Sequence, residues 1–216
     1  MMNKRSLNIA LVSLALFVLW TLLVCTLDVQ AVGPAGSSVG LARLNCYVHS
    51  VTGVHMLLYH ITDWLGLVPI AFMLGFALYG LIQWFKRKRL FAVDPDILLL
   101  GGFYVVVFVN YFLFEYIVIN YRPILINGYL EASYPSSTTL LVLCVMPTAR
   151  VLLQQKIQNS IGKKIANTSI ILFCTLMVIG RLLSGVHWFT DIIGGVLLSN
   201  GLVMLYRAIL SVQSVE

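Results

Sequence analysis

The chain has 216 residues, 60% hydrophobic and 10% charged, against roughly 25% charged in an ordinary soluble domain. With a mean hydropathy of +0.94 there is too little polar surface to coat a soluble globule, which excludes a soluble enzyme, a disordered chain and a disulfide-stapled secreted domain. The formal charge of +6, from 14 Lys and Arg against 8 Asp and Glu, points to cytoplasmic loops and anionic headgroups. No polar basic run is interleaved with aromatics, so nucleic acid is excluded as a partner.

A bilayer span needs about 20 predominantly apolar residues. Such runs lie near 7–27, 64–85, 97–119, 138–153, 167–184 and 186–206. The expected fold is therefore all-α, a single membrane-embedded domain over 1–216 with six transmembrane helices. The first run is longer than the roughly 7–15 apolar residues of a signal peptide, so it reads as a retained helix. Pro147 inside the fourth predicts a kink or an early end, and Gly185 permits a tight connection between the last two. Counting Lys and Arg by loop leaves only Arg43, Arg122 and Arg181 opposite the termini, so both termini are expected in the cytoplasm. Segments 28–63, 120–137 and 184–187 then face outward. Cys25, Cys144 and Cys174 lie in apolar runs and read as small buried hydrophobes, whereas Cys46 lies in a polar loop. Their spacing matches no metal site.

The residues capable of chemistry collect on the outward side. Segment 120–139 carries Arg122, Glu131, Ser136, Ser137 and Thr138, with Pro135 where a helix would begin. A helix opening on Ser-Ser-Thr either caps itself or offers its free N–H groups to an anion such as phosphate. Farther along, His187 and Asp191 stand four residues apart, on one face of the sixth helix. The Asp can fix the imidazole tautomer and leave the other nitrogen free as a nucleophile or base. Arg181 lies close by, at the outer end of the fifth helix. One His, one Asp and two Arg on one face suit phosphoryl transfer from a lipid.

The pattern Arg181-x5-His187-x3-Asp191 resembles the third signature of the type 2 phosphatidic acid phosphatase family, Ser-Arg-x5-His-x3-Asp. Arg122-Pro123 resembles the end of its first signature, Lys-x6-Arg-Pro, and Pro135-Ser136-Ser137-Thr138 resembles its second, Pro-Ser-Gly-His. The resemblance implies that His187 attacks phosphorus to form a phosphohistidine and that Asp191 orients it. It also implies that Arg122 and Arg181 hold the phosphate oxygens, that Ser136 and the N–H groups after it complete the cradle, and that neither metal nor cofactor is required. The implied partners are a lipid phosphate or diphosphate and the surrounding membrane lipids.

Three positions depart from the pattern. Glu115 stands at the first-signature Lys and is expected to pair with Arg122 or Arg181. Gly180 replaces the Ser before Arg181. Thr138 replaces the second-signature His, the family's general acid for the leaving group. A missing general acid costs about 10²–10⁴ in rate, and an alkoxide leaving group needs the proton more than a phosphate does. The substitution therefore favours a lipid diphosphate such as undecaprenyl diphosphate over phosphatidic acid or phosphatidylglycerophosphate. His49, His55 and His60, with Tyr47, Tyr59 and Trp64, read as a membrane-surface helix or as the source of a replacement acid. Glu131 and Tyr134 are further candidates for that acid. A homologue that binds lipid phosphate without turnover, and transfer to an acceptor hydroxyl in place of water, are the rival readings.

Overall fold

The computed structural model describes residues 3–213, and among them six helical segments are long and apolar enough to cross a membrane. The eight helices are α1 (Lys4–Thr26), α2 (Ala42–Thr52), α3 (Met56–Leu65), α4 (Leu67–Arg87), α5 (Pro95–Tyr116), α6 (Ser137–Lys156), α7 (Ser160–Leu183) and α8 (Phe189–Gln213). α3 and α4 run on as one segment, Met56–Arg87, of 32 residues, because Gly66 between them keeps helical angles (φ −60°, ψ −17°). At about 1.5 Å per residue it exceeds the hydrocarbon thickness. The second helical segment therefore begins eight residues before the expected position 64, and its leading part, α3, packs on α7. α6 does not end early either: it carries Pro147 in its interior and continues to Lys156.

α6 and α8 form the centre, with 50% and 56% of their spanning residues buried, whereas the other spans turn most of their surface outward. Leu140, Cys144 and Val145 of α6 meet Leu202 and Tyr206 of α8 and Leu100 of α5 in the main core. The outward faces carry side chains such as Leu11, Phe112 and Leu172, where lipid supplies the contacts. Cys25 is among the exposed residues, contrary to the buried expectation, whereas Cys144 and Cys174 are buried. α1 lies along α8, and Asn3 N donates to Ser211 Oγ (2.8 Å), so both ends of the described chain meet at one end of the bundle. At that end Asp94 accepts from Arg87 (2.8 Å) and Gln83 (2.8 Å), which ties the α4–α5 connection. These bonds hold the Asp94 carboxyl below its ordinary range.

Helices approach closely where a residue has no side chain. A Cβ on Gly194 of α8 would lie 2.8 Å from the Tyr134 ring, and one on Gly195 would lie 3.1 Å from Thr139. Tyr134 bonds Thr21 of α1 through its hydroxyl (2.7 Å), so the segment leading into α6 is wedged between α1 and α8. Gly194→Val is expected to force the Tyr134 ring aside at a cost of about 1–3 kcal/mol. The check is a lowered thermal midpoint of the detergent-solubilised protein.

Candidate active site

Three segments far apart in sequence converge at the end of the bundle away from the termini. The first runs from α5 to α6. Asn127 and Gly128 both adopt positive φ (50° and 84°), and Ile126 and Tyr129 exchange backbone hydrogen bonds across them (3.1 and 2.9 Å). This is the two-residue hairpin turn that Asn-Gly favours. It folds Arg122 against Glu131, whose carbonyl accepts from Arg122 N (3.0 Å) and whose carboxylate lies 2.9 Å from Arg122 Nε. The second segment is the turn between α7 and α8. Gly185 takes φ +69°, and a Cβ there would meet the Gly53 carbonyl oxygen at 1.9 Å, so only glycine fits beneath the α2–α3 connection. The third is α3, which lays Tyr59, Thr62 and Asp63 around Arg181. The guanidinium stands over the Tyr59 ring (5.1 Å), donates to Thr62 Oγ1 (3.4 Å) and faces Asp63 Oδ1 at 3.7 Å. Gly180 has its reason here: a Cβ would lie 2.7 Å from Thr62 Cγ2.

His187 sits at the convergence, nearly inaccessible to solvent (3%). Its Nε2 is 3.3 Å from Arg122 Nη1 and 3.4 Å from Arg181 Nη2. Guanidinium groups only donate, so Nε2 is the acceptor and the proton belongs on Nδ1. That nitrogen faces Asp191 Oδ2 at 3.6 Å, too long for a full hydrogen bond. Burial, and then the charges of Arg122 and Arg181, hold the His187 pKa well below the ordinary histidine value, against a smaller opposing pull from the Ser133 backbone. The imidazole is thus neutral, with its free lone pair between two cations.

Asp191 is itself held. Its Oδ2 accepts from Trp188 N (2.9 Å) and its Oδ1 from Asn120 Nδ2 (3.3 Å). Reaching back to the amide just before α8 also caps that helix. Two residues absent from the sequence-level expectations complete the frame. Asn45, fully buried, donates to Thr190 Oγ1 (2.9 Å) and accepts from Thr190 N (3.1 Å). Asn120 receives Gly40 N on its Oδ1 (3.2 Å). These amides lock the α8 start to both outer connections. Nothing in a lone asparagine of a polar segment announces such a role.

In front of the two guanidiniums opens a cavity of about 430 Å³ lined by Asp63, Arg122, Ser137, Thr138 and Arg181, and farther in by apolar residues of α4, α5 and α6. It shares Ile70 and Phe108 with a largely apolar groove of about 590 Å³ between α4 and α5. The amides of Ser137 and Thr138 open α6 and have no carbonyl within the helix to donate to. Ser136 stands differently from its expectation. Its hydroxyl is the cap that Thr139 uses (N at 3.5 Å, Oγ1 at 3.1 Å) and it is fully buried, so Ser137 and Thr138 are the residues that face the cavity. Glu115 is exposed and pairs with neither arginine; Glu131 and Asp63 take those places.

His49, His55 and His60 stay off the cavity. His49 is half-buried against the Trp188 ring (5.5 Å), with its pKa lowered by that burial. His55 meets the Thr52 carbonyl through its ring (2.9 Å). His60 is exposed beside Tyr59 (5.2 Å). Asn45→Ala is expected to leave the Thr190 N–H without its partner, with only the longer Asn120 contact (3.4 Å) on the hydroxyl, and to destabilise by about 1–3 kcal/mol. Thermal unfolding in detergent measures it.

The arrangement defines a six-span membrane protein with two buried arginines gathered on one histidine at one end of its bundle. The family model of the PAP2 superfamily matches residues 70–213, and the chain belongs to that family, whose members are phosphatases. A solved structure with the same fold is the first transmembrane PAP2 type phosphatidylglycerolphosphate phosphatase from Bacillus subtilis, at TM-score 0.65 and 18% identity over 96% of this chain and 98% of that one. A comparison with curated proteins finds no match.

Proposed function

We propose that the chain hydrolyses a lipid diphosphate, of the undecaprenyl diphosphate type, at the outer leaflet and through a phosphohistidine. The observation that carries this reading is the neutral Nε2 of His187 between two guanidiniums, at 3.3 and 3.4 Å. Nε2 attacks the terminal phosphorus, the bond to the bridging oxygen breaks, and the lipid monophosphate leaves with that electron pair. Asp191 orients the imidazole and stabilises the positive charge that Nδ1–H comes to share. Arg122 and Arg181 take the equatorial oxygens, together with the Ser137 and Thr138 amides. The donors around the phosphoryl position are cations and N–H groups, which suit an anion rather than a metal ion. The apolar groove that continues from the cavity suits a long hydrocarbon tail, and the Lys and Arg distribution supports an outward-facing site.

Thr138 selects among lipids. A threonine hydroxyl cannot replace an imidazolium as acid, so a phosphate leaving group is tolerated and an alkoxide is penalised. The likeness to the Bacillus subtilis structure favours a second reading, hydrolysis of phosphatidylglycerophosphate. Phosphate release by purified protein from undecaprenyl diphosphate, phosphatidylglycerophosphate and phosphatidic acid separates the two. The diphosphate is expected to be fastest, to resist EDTA, and to lose all turnover in His187→Ala. Faster release from either monophosphate overturns the diphosphate assignment. Retained turnover in His187→Ala overturns the histidine mechanism, and no release from any lipid points to the binding homologue.

The lowered pKa of His187 sets the sign of the pH dependence. Protonation removes the nucleophile, so activity falls toward acid, and the fall begins below the ordinary histidine value of 6.5. A profile of kcat/KM over about pH 5–8, which reports the free enzyme, is expected to stay level down through that value.

A further inference from the structure

We propose that Asp63 is the base that activates water in the second half of this reaction, the hydrolysis of the phosphohistidine; the proposal rests on the histidine mechanism above. Attack and departure at phosphorus are in line. The water that displaces His187 must therefore arrive from the side opposite Nε2, in the cavity before the two guanidiniums. It needs a group to take its proton, and Thr138 is not one.

The cavity offers few choices. Among its lining side chains only Asp63, Tyr111, Arg122 and Arg181 are ionisable. Arginine does not deprotonate in proteins, and phenols as a class hold their proton near neutral pH, so a carboxylate is the one available base. The other carboxylates nearby are placed elsewhere. Glu131 is held at 2.9 Å on Arg122 and is not part of the cavity wall, and Glu115 lines a separate recess beside Ser137.

The position of Asp63 fits the task. Its carboxylate lies 3.7 Å from Nη1 of Arg181, while Nη2 of the same guanidinium lies 3.4 Å from His187 Nε2. One rigid fork thus spans base and nucleophile and screens the carboxylate from a bound phosphate. A turn later in the chain, Gly66 faces the altered position, since a Cβ there would lie 3.7 Å from Thr138 Cγ2. The Asp63 side chain is 58% exposed, against 2% for Arg181, so it reaches water and can return its proton to solvent. In the step itself the water oxygen bonds phosphorus and the P–Nε2 bond breaks, its electron pair returning to Nε2. The water proton passes to the Asp63 carboxylate, and inorganic phosphate leaves. The first half asks no proton of Asp63, since a lipid phosphate departs without a proton donor.

The test uses the full chain in detergent with a lipid diphosphate radiolabelled at its terminal phosphorus, quenched rapidly and assayed for acid-labile protein label and for released phosphate. In Asp63→Asn, label is expected to accumulate toward one per chain while steady release falls by about 10²-fold. Adding Thr138→His in that background is expected to restore release, because an imidazole then stands where the proton must go. Label that fails to accumulate while release falls would reduce Asp63 to holding Arg181 and overturn the proposal, as would release at the wild-type rate. An Asp63→Asn protein that does not elute as a folded species is replaced by Asp63→Ser, with the same outcomes. The histidine mechanism fails separately: it is refuted if His187→Ala still takes label or releases phosphate, whatever Asp63→Asn does.

Discussion

Two guanidinium groups buried against one imidazole impose the conditions that the rest of this end of the protein meets. Arg181 is 1% exposed and Arg122 8%, and both touch the same nitrogen of His187. Burying one cation is costly, and burying two within reach of each other is more so. Each has a carboxylate at its edge, Glu131 at 2.9 Å and Asp63 at 3.7 Å. Among the described residues Arg122 Nε and Arg181 Nε have no partner in hydrogen-bond geometry. In the proposed reaction, a doubly charged phosphoryl group bonded to Nε2 would give both cations the anion they lack.

Holding that arrangement demands order in segments that would otherwise be mobile loops. Arg122 comes from a hairpin, Arg181 from a helix end and His187 from a tight turn, so a shift of about 1 Å in any of them would misplace the reacting atoms. The fold answers with close backbone contacts and buried amides. Gly185 admits the Gly53 carbonyl, Gly180 admits Thr62, and Asn45 and Asn120 join the connections to Thr190 and Asp191. The transmembrane bundle supplies the platform. Its central helices, α6 and α8, both begin in the site, so their packing through the bilayer fixes the two ends that carry Ser137, Thr138 and Asp191.

The legible part of this protein was that with a one-dimensional signal. Apolar run length disclosed the six spans, and the spacing of Arg181, His187 and Asp191 disclosed that these three side chains cluster, because positions on one turn and one helix face are set by sequence separation alone. What depends on contacts between distant segments stayed hidden. Asp63 looks like an ordinary exposed acid of an amphipathic helix, and Asn45 and Asn120 look like loop residues, until the fold brings them to Arg181 and Thr190. The pairing of Glu115 with an arginine failed for the same reason, since charge complementarity names a type of partner and only the hairpin made Glu131 the near one. The Asn127-Gly128 turn was a local signal that would have pointed to that hairpin. Ser136 was ambiguous in principle, because a hydroxyl at a helix start serves either the helix or a ligand, and here the Thr139 contacts take it.

The exchange at position 138 has a consequence for the whole catalytic strategy. An imidazole there can give a proton to the leaving group and then take one from water, so one residue serves both halves of the reaction. A threonine does neither, and the two duties come apart. The first disappears if the leaving group is already a weak base, as the phosphate of a lipid diphosphate is. The second remains for any lipid, because water attacking a phosphohistidine has to lose a proton whatever departed earlier. A carboxylate suits that remaining duty and would be unsuited to the first, since near neutral pH it carries no proton to give. On the proposed reading, a cavity with two fixed cations, one open carboxylate and no acid suits substrates that need charge stabilised but no proton supplied. Threonine at 138 and aspartate at 63 describe the same chemistry from its two ends.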